Sequence, residues 1–343
     1  MDTQLNNSTP NLPAFPGLTF RNYQGEDDLL AMLALSHKLE DAGLIEPGLI
    51  LADLQAQYRY LVNCDPFKDV VLGFSGDEIA AILRCTREIE IDSGKHIFYA
   101  ILSVTPALRE TDLFEQLVHW AEEWAVLKSA SLESHPEDLV QIWANGRDPL
   151  RRQKLEGMGY RPHRFYYKMS RPLNGDLPDY PLPEGIEVRP TLPSTMRKVW
   201  DASMEAFQDE WGATQDSPEW YESYIRCSYC QPALWQVAWQ GDEVVGSVMN
   251  YIDGNENEKS GLMRGYTEGI TVRRQWRGKG IAKALICRSM RMHQALNMQE
   301  VALGVDTENP TGALHLYESL GYRQFRLDSV MMKLIADIQT SAP

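Results

Sequence analysis

Glu268-Gly269-Ile270-Thr271-Val272-Arg273-Arg274-Gln275-Trp276-Arg277-Gly278-Lys279-Gly280-Ile281-Ala282 passes from a strand-like apolar pattern through a glycine turn into a helical run from Lys283 to about Leu296. Glycines at 278 and 280 let backbone approach a ligand closely, and a helix N-terminus offers unpaired N–H groups at the positive end of its dipole. The segment therefore suits a pyrophosphate. It lacks the Gly-Lys-Ser/Thr ending of a P-loop, and its glycines are not spaced as in a dinucleotide fingerprint.

Downstream lie an apolar strand pattern, Glu300-Val301-Ala302-Leu303-Gly304-Val305, and then Asn309-Pro310-Thr311-Gly312-Ala313-Leu314-His315-Leu316-Tyr317-Glu318-Ser319-Leu320-Gly321-Tyr322. The Gln-x-x-Gly-x-Gly spacing after a strand resembles the acetyl-CoA-binding motif of the GNAT acetyltransferases. The later stretch, an Asn followed by a short helix that carries Tyr and ends in Leu-Gly-aromatic, is similar to that family's second signature. Two signatures in the family order, about thirty residues apart, speak against chance.

Composition sets the wider limits. A chain of 343 residues is long enough for two domains, and 43% hydrophobic residues can fill both cores. No apolar run reaches the roughly 18 residues of a membrane span, and Met1 to Gly17 has no basic and apolar leader pattern, so a cytosolic protein with no membrane partner is expected. A net charge of −15 speaks against nucleic acid as a partner. Within that acidic chain, Arg273, Arg274, Arg277, Lys279, Lys283, Arg288 and Arg291 form a basic island between Ile270 and Gln299 with no acid among them. Such an island suits an anionic cofactor, although part of it is expected to be a solvated helix face. The five cysteines form no even framework, and Cys227-Ser228-Tyr229-Cys230 has neither a second pair nor a histidine pair, so no disulfide and no metal are expected.

The chain also repeats itself around the Pro-rich stretch 171–185. Gly76-Asp77-Glu78-Ile79 matches Gly241-Asp242-Glu243-Val244, Ile101-Leu102-Ser103-Val104 matches Gly269-Ile270-Thr271-Val272, and Glu156-Gly157-Met158-Gly159-Tyr160-Arg161 matches Glu318-Ser319-Leu320-Gly321-Tyr322-Arg323. The matches lie roughly 165 residues apart, as a duplicated and fused fold requires. The expected division is a disordered tail at 1–17, a degenerate first domain at 18–170, a linker at 171–185, a second domain at 186–335 and a tail at 336–343. Arg109-Glu110-Thr111-Asp112 stands in register with Arg277-Gly278-Lys279-Gly280, and Leu155 with Tyr317. Acids in place of glycines repel a pyrophosphate, so the first copy is expected either to shape the acceptor cleft or only to support the second.

In the second half, strand patterns are read at 186–189, 234–239, 244–251, up to Val272, 301–305 and 325–333. Helices are read at 194–207, around 218–226, after the glycine turn and around Tyr317, with a polar loop at 253–261. This order is α/β, a mixed sheet flanked by helices, as in GNAT domains. The tandem layout with one degenerate copy is similar to that of the mycothiol synthases.

The family resemblance implies site residues. Backbone N–H groups of Arg277, Gly278, Lys279, Gly280, Ile281 and Ala282 would hold the pyrophosphate of acetyl-CoA. The strand edge at Ile270, Thr271 and Val272 would pair with pantetheine, while Gln275 opens the motif and Asn309 contacts the cofactor arm. Tyr317 matches the tyrosine that protonates the departing thiolate, although a helical tyrosine can equally be a core aromatic, and Asn309 can equally cap its helix. Glu268 matches the place of the family's general base, although a glutamate entering a strand can equally be a plain solvated residue, and Asp306 is a further candidate carboxylate at the same cleft. Asp209, Glu210 and Trp211 fall where the family lines its acceptor pocket, although an exposed Asp-Glu pair at a helix end is the plainer reading. The implied activity is acetyl transfer from acetyl-CoA to the primary amine of a small molecule or peptide, by direct attack in a ternary complex; because the duplication can replace a dimer, a monomer is expected. A non-catalytic CoA-binding sensor needs the same cradle but neither Tyr317 nor a carboxylate base.

Overall fold

The computed structural model describes residues 9–341. The first half of the chain runs β1 (Thr19–Asn22), α1 (Asp28–Asp41), α2 (Leu51–Arg59), α3 (Pro66–Asp69), β2 (Val70–Ser75) and β3 (Glu78–Ile89). It continues through β4 (His96–Val104), α4 (Leu113–Ser129), β5 (Leu139–Ala144), α5 (Pro149–Gly157) and β6 (Arg161–Pro172). The second half repeats that order with β7 (Glu187–Arg189), α6 (Pro193–Phe207), α7 (Pro218–Tyr224), β8 (Gln236–Gln240), β9 (Glu243–Tyr251) and α8 (Gly254–Ser260). It ends with β10 (Arg264–Val272), α9 (Ile281–Ala295), β11 (Glu300–Asp306), α10 (Ala313–Ser319), β12 (Arg323–Leu334) and α11 (Ile335–Ser341).

Two compact units result. Among the described residues, one comprises 9–164 together with 217–223 and 328–341; the other comprises 165–216 and 224–327. The first unit orders its strands β1-β2-β3-β4-β5-β12, and the second orders them β6-β11-β10-β9-β8-β7. Each sheet is antiparallel except at one pair, β4 with β5 in the first unit and β10 with β11 in the second. A mixed sheet flanked by helices is thus built twice.

The units depart from the linear division at 171–185. Residues 329–334 of β12 pair with β5 in the first unit, while 166–172 of β6 pair with β11 in the second. Each sheet therefore takes its sixth strand from the other copy in the sequence. Repeat matching could not find this, because it shows which segments correspond between the copies and not which sheet edge each terminal strand joins.

The ends differ from the expected tails as well. Residues 1–8 lie outside the described residues. In the stretch that follows, the indole of Trp120 donates to the Asn11 carbonyl at 3.0 Å, which ties it to α4. Residues 335–341 form α11, whose Ile335 and Ile338 are buried in the first core. The polar loop expected at 253–261 is α8: the Asp253 carboxylate accepts from the Glu256 N–H at 2.9 Å, and Gly261 ends the helix in the left-handed region.

In the first unit, α4 buries Leu113, Leu117, Trp120 and Trp124, spaced for one helical face, on Leu83, Phe98 and Ile142. In the second, Ile281, Leu285 and Met290 of α9 are buried in one core with Val245, Val301 and Leu303, while Val199 of α6 packs in a second cluster with Val237. The Pro-rich stretch expected as a linker is a strap along α9. Its Leu173 and Gly175 carbonyls accept from Gln294, the Pro178 carbonyl accepts from Arg291, and Leu173 is buried in the second core.

His293 of α9 is fully buried, packed against the Gly265 backbone, and burial pulls its pKa down to about 4. The unfolded chain then takes up this proton more readily than the folded one. The contribution is present above pH 6.5 and is lost as pH falls from there toward 4, by about 3 kcal/mol. Urea unfolding followed across that window is expected to give a steeper acid loss in the wild type than in His293→Gln; equal slopes would rule the histidine out.

Candidate active site

The second unit carries a cleft where two strands part. β10 and β11 pair in parallel only over Arg264–Tyr266 and Glu300–Ala302. Immediately beyond, β10 carries a bulge against β9, with one extra residue between Glu268 and Thr271. Gly269 adopts φ +55° there, and a side chain at this position would meet Met249 at 2.9 Å, so only glycine fits. At the apex Glu268 Oε1 accepts the Gly304 N–H at 2.9 Å, which satisfies an amide that the parted strand no longer does.

The glycine turn follows. Gly278 and Gly280 sit at φ +75° and +81°, with open space where a side chain would stand, so the backbone conformation itself requires glycine. Gly280 caps α9, and the bond from the Ala284 N–H to the Gly280 carbonyl opens its ladder. The N–H groups of Ile281, Ala282 and Lys283 precede that bond and face the turn as helix-end donors.

Between turn and bulge lies a cavity of about 320 Å³. Ile270, Thr271 and Val272 form one wall, Gly278, Gly280, Ile281 and Ala282 a second, and Tyr317 with Ala313 and Leu316 a third. Phe207, at the end of α6, and Glu210, in the loop after it, close the cavity. The expected cofactor residues Ile270, Thr271, Val272, Arg277, Gly278, Gly280, Ile281 and Ala282 thus meet at one cavity with Tyr317 and Glu210. Walls missed in the sequence are Phe207, Trp276, Thr311 and Leu316, apolar or small residues with no chemical signature of their own.

Tyr317 is buried, with its ring 6.0 Å from that of Tyr322. Burial, then the nearby Glu268 carboxylate, pushes its phenol far above the ordinary tyrosine value, so it stays protonated at any working pH. Glu210 is likewise raised, first by burial, with opposing help from the Asn309 amide that donates to its Oε1 at 3.2 Å. Asn309 Oδ1 also accepts the Thr311 N–H at 2.9 Å, so this residue shapes the turn into α10 while bracing Glu210.

Other expected residues do different work. Asp209 is held by Arg274 and, at 2.7 Å, by Arg277, and these partners, the Arg274 hydrogen bond foremost, lower its pKa. Arg277 also donates to the Val272 and Ala206 carbonyls at 3.0 and 3.1 Å, clamping the loop after α6 to β10. Gln275 donates to Glu243 at 3.0 Å. Lys279 lies over the Trp276 ring, Asp306 accepts from the Glu308 N–H, and Trp211 is not part of the cavity wall.

The corresponding place in the first unit is filled. β4 pairs with β3 without a bulge, and Arg151 of α5 donates to the Leu102 carbonyl at 2.9 Å, on the strand edge that matches Ile270. The Arg151 guanidinium packs over Phe114, its pKa pulled down to about 10 by burial, and Arg109 is tied to Asp148 at 2.5 Å. What remains is a cavity of about 60 Å³, room for a water or two.

A glycine-capped helix end beside a bulged strand that parts from its neighbour brings unpaired helix-end amides and an open strand edge to one cleft. Residues 196–322 match the acetyltransferase (GNAT) family, and the chain carries a GNAT acetyltransferase domain there. The mycothiol acetyltransferase of Thermobispora bispora is 28% identical over 190 residues, which are 55% of this chain and 64% of that protein. That of Salinispora arenicola is 27% identical over 54% of this chain and 60% of its own length. The chain thus spans less than two thirds of the length of these relatives. The GCN5-related N-acetyltransferase from Sphaerobacter thermophilus, 26% identical, shares the fold over 95% of this chain and 97% of its own with a TM-score of 0.66. The tandem GNAT protein from the clavulanic acid biosynthesis pathway, 13% identical, covers 93% of this chain and 98% of its own at a TM-score of 0.65, a likeness of fold.

Because Asp209 is engaged by two arginines that fix a cleft wall, Asp209→Asn is expected to weaken acetyl-CoA binding several-fold, as read by calorimetry. Unchanged affinity would mean that the ion pairs do not set the wall.

Proposed function

We propose that this protein is an acetyl-CoA-dependent N-acetyltransferase whose C-terminal GNAT domain transfers acetyl to the primary amine of a small molecule. The observation that carries the reading is the single cavity bounded by the glycine turn, the bulged edge of β10 and the buried phenol of Tyr317. Acetyl-CoA supplies an activated acetyl thioester, whose C–S bond breaks as a C–N bond forms to the amine. The amides at the start of α9 bind its pyrophosphate, and the edge of β10 at Ile270, together with the Val272 N–H, pairs with its arm and polarises the acetyl carbonyl. Glu268, at the apex of the cleft, accepts the proton that the amine gives up. Tyr317 donates its phenolic proton to the sulfur as the C–S bond breaks. Its raised pKa makes it a weaker acid than a free phenol, so the transfer suits a sulfur that is itself desolvated in the cavity.

The first unit keeps the sheet but not the site. Arg151 occupies the strand edge, the bulge is absent and acids replace the glycines, which supports one cofactor per chain. The likeness to mycothiol acetyltransferases supports an amino-sugar compound bearing a cysteinyl amine as the first acceptor to try. Peptide amines and other small amines follow, and the enzyme is expected to act as a monomer.

Calorimetry with acetyl-CoA is expected to give one site in the wild type and none in a Gly278→Glu, Gly280→Asp variant that copies the acids of the first half. Two sites, or undiminished binding in the variant, would displace the assignment of the cleft. With an accepted amine, Tyr317→Phe is expected to lower kcat by about 100-fold or more while acetyl-CoA affinity holds. Cofactor binding with no turnover on any amine would favour a CoA-binding sensor instead.

A further inference from the structure

The fold sorts the basic island. Arg273 pairs with Glu205 and Glu243, Arg274 and Arg277 pair with Asp209, and Arg291 pairs with Asp179. Lys279 and Lys283, the two cations nearest the cap of α9, have no carboxylate partner among the described residues. Each ammonium lies instead over an aromatic ring, Lys279 at 4.3 Å from the centroid of Trp276 and Lys283 at 4.0 Å from that of Tyr180. Lys283 lines the cleft, and Tyr180 keeps 38% of its surface exposed.

Tyr180 belongs to the strap. The chain leaves β6, is held at Gln294 by the Leu173 and Gly175 carbonyls, at Arg291 by the Pro178 carbonyl and Asp179, and reaches Lys283 with Tyr180. It therefore runs from the C-terminal end of α9 to the first turn, where the glycine cap lies. Past Tyr180, Leu182 packs on the second core and Ile186 is buried in it, so the tyrosine sits between two anchors. A proline-rich segment fixed in this way loses little entropy when its aromatic is used as a platform. A half-exposed ring beside an uncompensated ammonium offers a stacking face for a purine and a charge for a phosphate.

We propose that Tyr180 and Lys283 hold the 3′-phosphoadenosine end of the acyl-CoA, with Tyr180 stacked on the adenine and Lys283 paired with the 3′-phosphate. The proposal rests on the reading of the cleft as an acyl-CoA site. The pyrophosphate takes the helix-end amides, which leaves the Lys283 ammonium, drawn toward the strap, for the terminal phosphate. The strap is then part of the cofactor site, and it makes the protein select CoA that carries the 3′-phosphate.

The test is calorimetric titration of the full chain with acetyl-CoA and with 3′-dephospho-acetyl-CoA. The wild type is expected to bind acetyl-CoA about fivefold more tightly than the dephospho form, and Lys283→Gln to erase that preference. Tyr180→Ala is expected to weaken both ligands by about tenfold, and Tyr180→Phe to restore wild-type binding of both. Equal wild-type affinities, a preference that survives Lys283→Gln, or wild-type binding by Tyr180→Ala overturns the proposal while leaving the cleft assignment intact. A wild type that binds neither ligand overturns the acyl-CoA reading, and this proposal with it.

Discussion

The second unit depends on a parallel strand pair that is allowed to fail. β10 and β11 share three residues of pairing and then separate, which leaves backbone donors and acceptors open in the middle of a sheet. Unpaired amides in a protein interior are costly, so the opening persists only because other groups answer it. Glu268 accepts the Gly304 N–H at the apex, and the Arg277 guanidinium takes the Val272 carbonyl further along. The bulge at Gly269 turns the free edge toward the cavity. A helix that begins where this strand ends then brings its own unpaired amides to the same place, and one opening supplies both an edge for an extended arm and a pole for a polyanion.

The first unit illustrates how little must change to close such a site. It keeps the short parallel pairing of β4 with β5 and the helix after β4. A single arginine, Arg151, reaches the Leu102 carbonyl on the open edge, and its stem and Phe114 fill the space. Opening and filling are two answers to the same deficit of hydrogen bonds, one leaving the strand edge beside a cavity and the other closing it with a side chain of the chain itself.

Charge follows the same logic. The basic island is largely neutralised within the second unit: Asp209, which reads as an acceptor carboxylate in the sequence, secures Arg274 and Arg277 and so fastens the loop after α6 to the cradle. Two lysines remain with ring partners only, and both stand at the glycine turn. Of the cations left without a carboxylate, Lys279 and Lys283 stand at the helix pole, where they add to the dipole, while Arg288 further along α9 donates to Gln236.

The sequence by itself determined the duplication, the α/β order of each copy, the glycine cradle and the helix carrying Tyr317, because each is a local pattern of period, turn chemistry and spacing. It also located the loss of the glycines in the first copy. Tertiary structure alone decided the rest. That each sheet is completed by the terminal strand of the other copy is invisible locally, since strand pairing joins residues far apart in the chain. That Asp209 is an ion-pair partner, that Asn309 braces Glu210, that Arg151 fills the first cleft and that residues 173–182 run along α9 depends on side chains or segments far apart in the chain meeting in space. A residue type states which interaction is possible, and only the fold states which partner takes it.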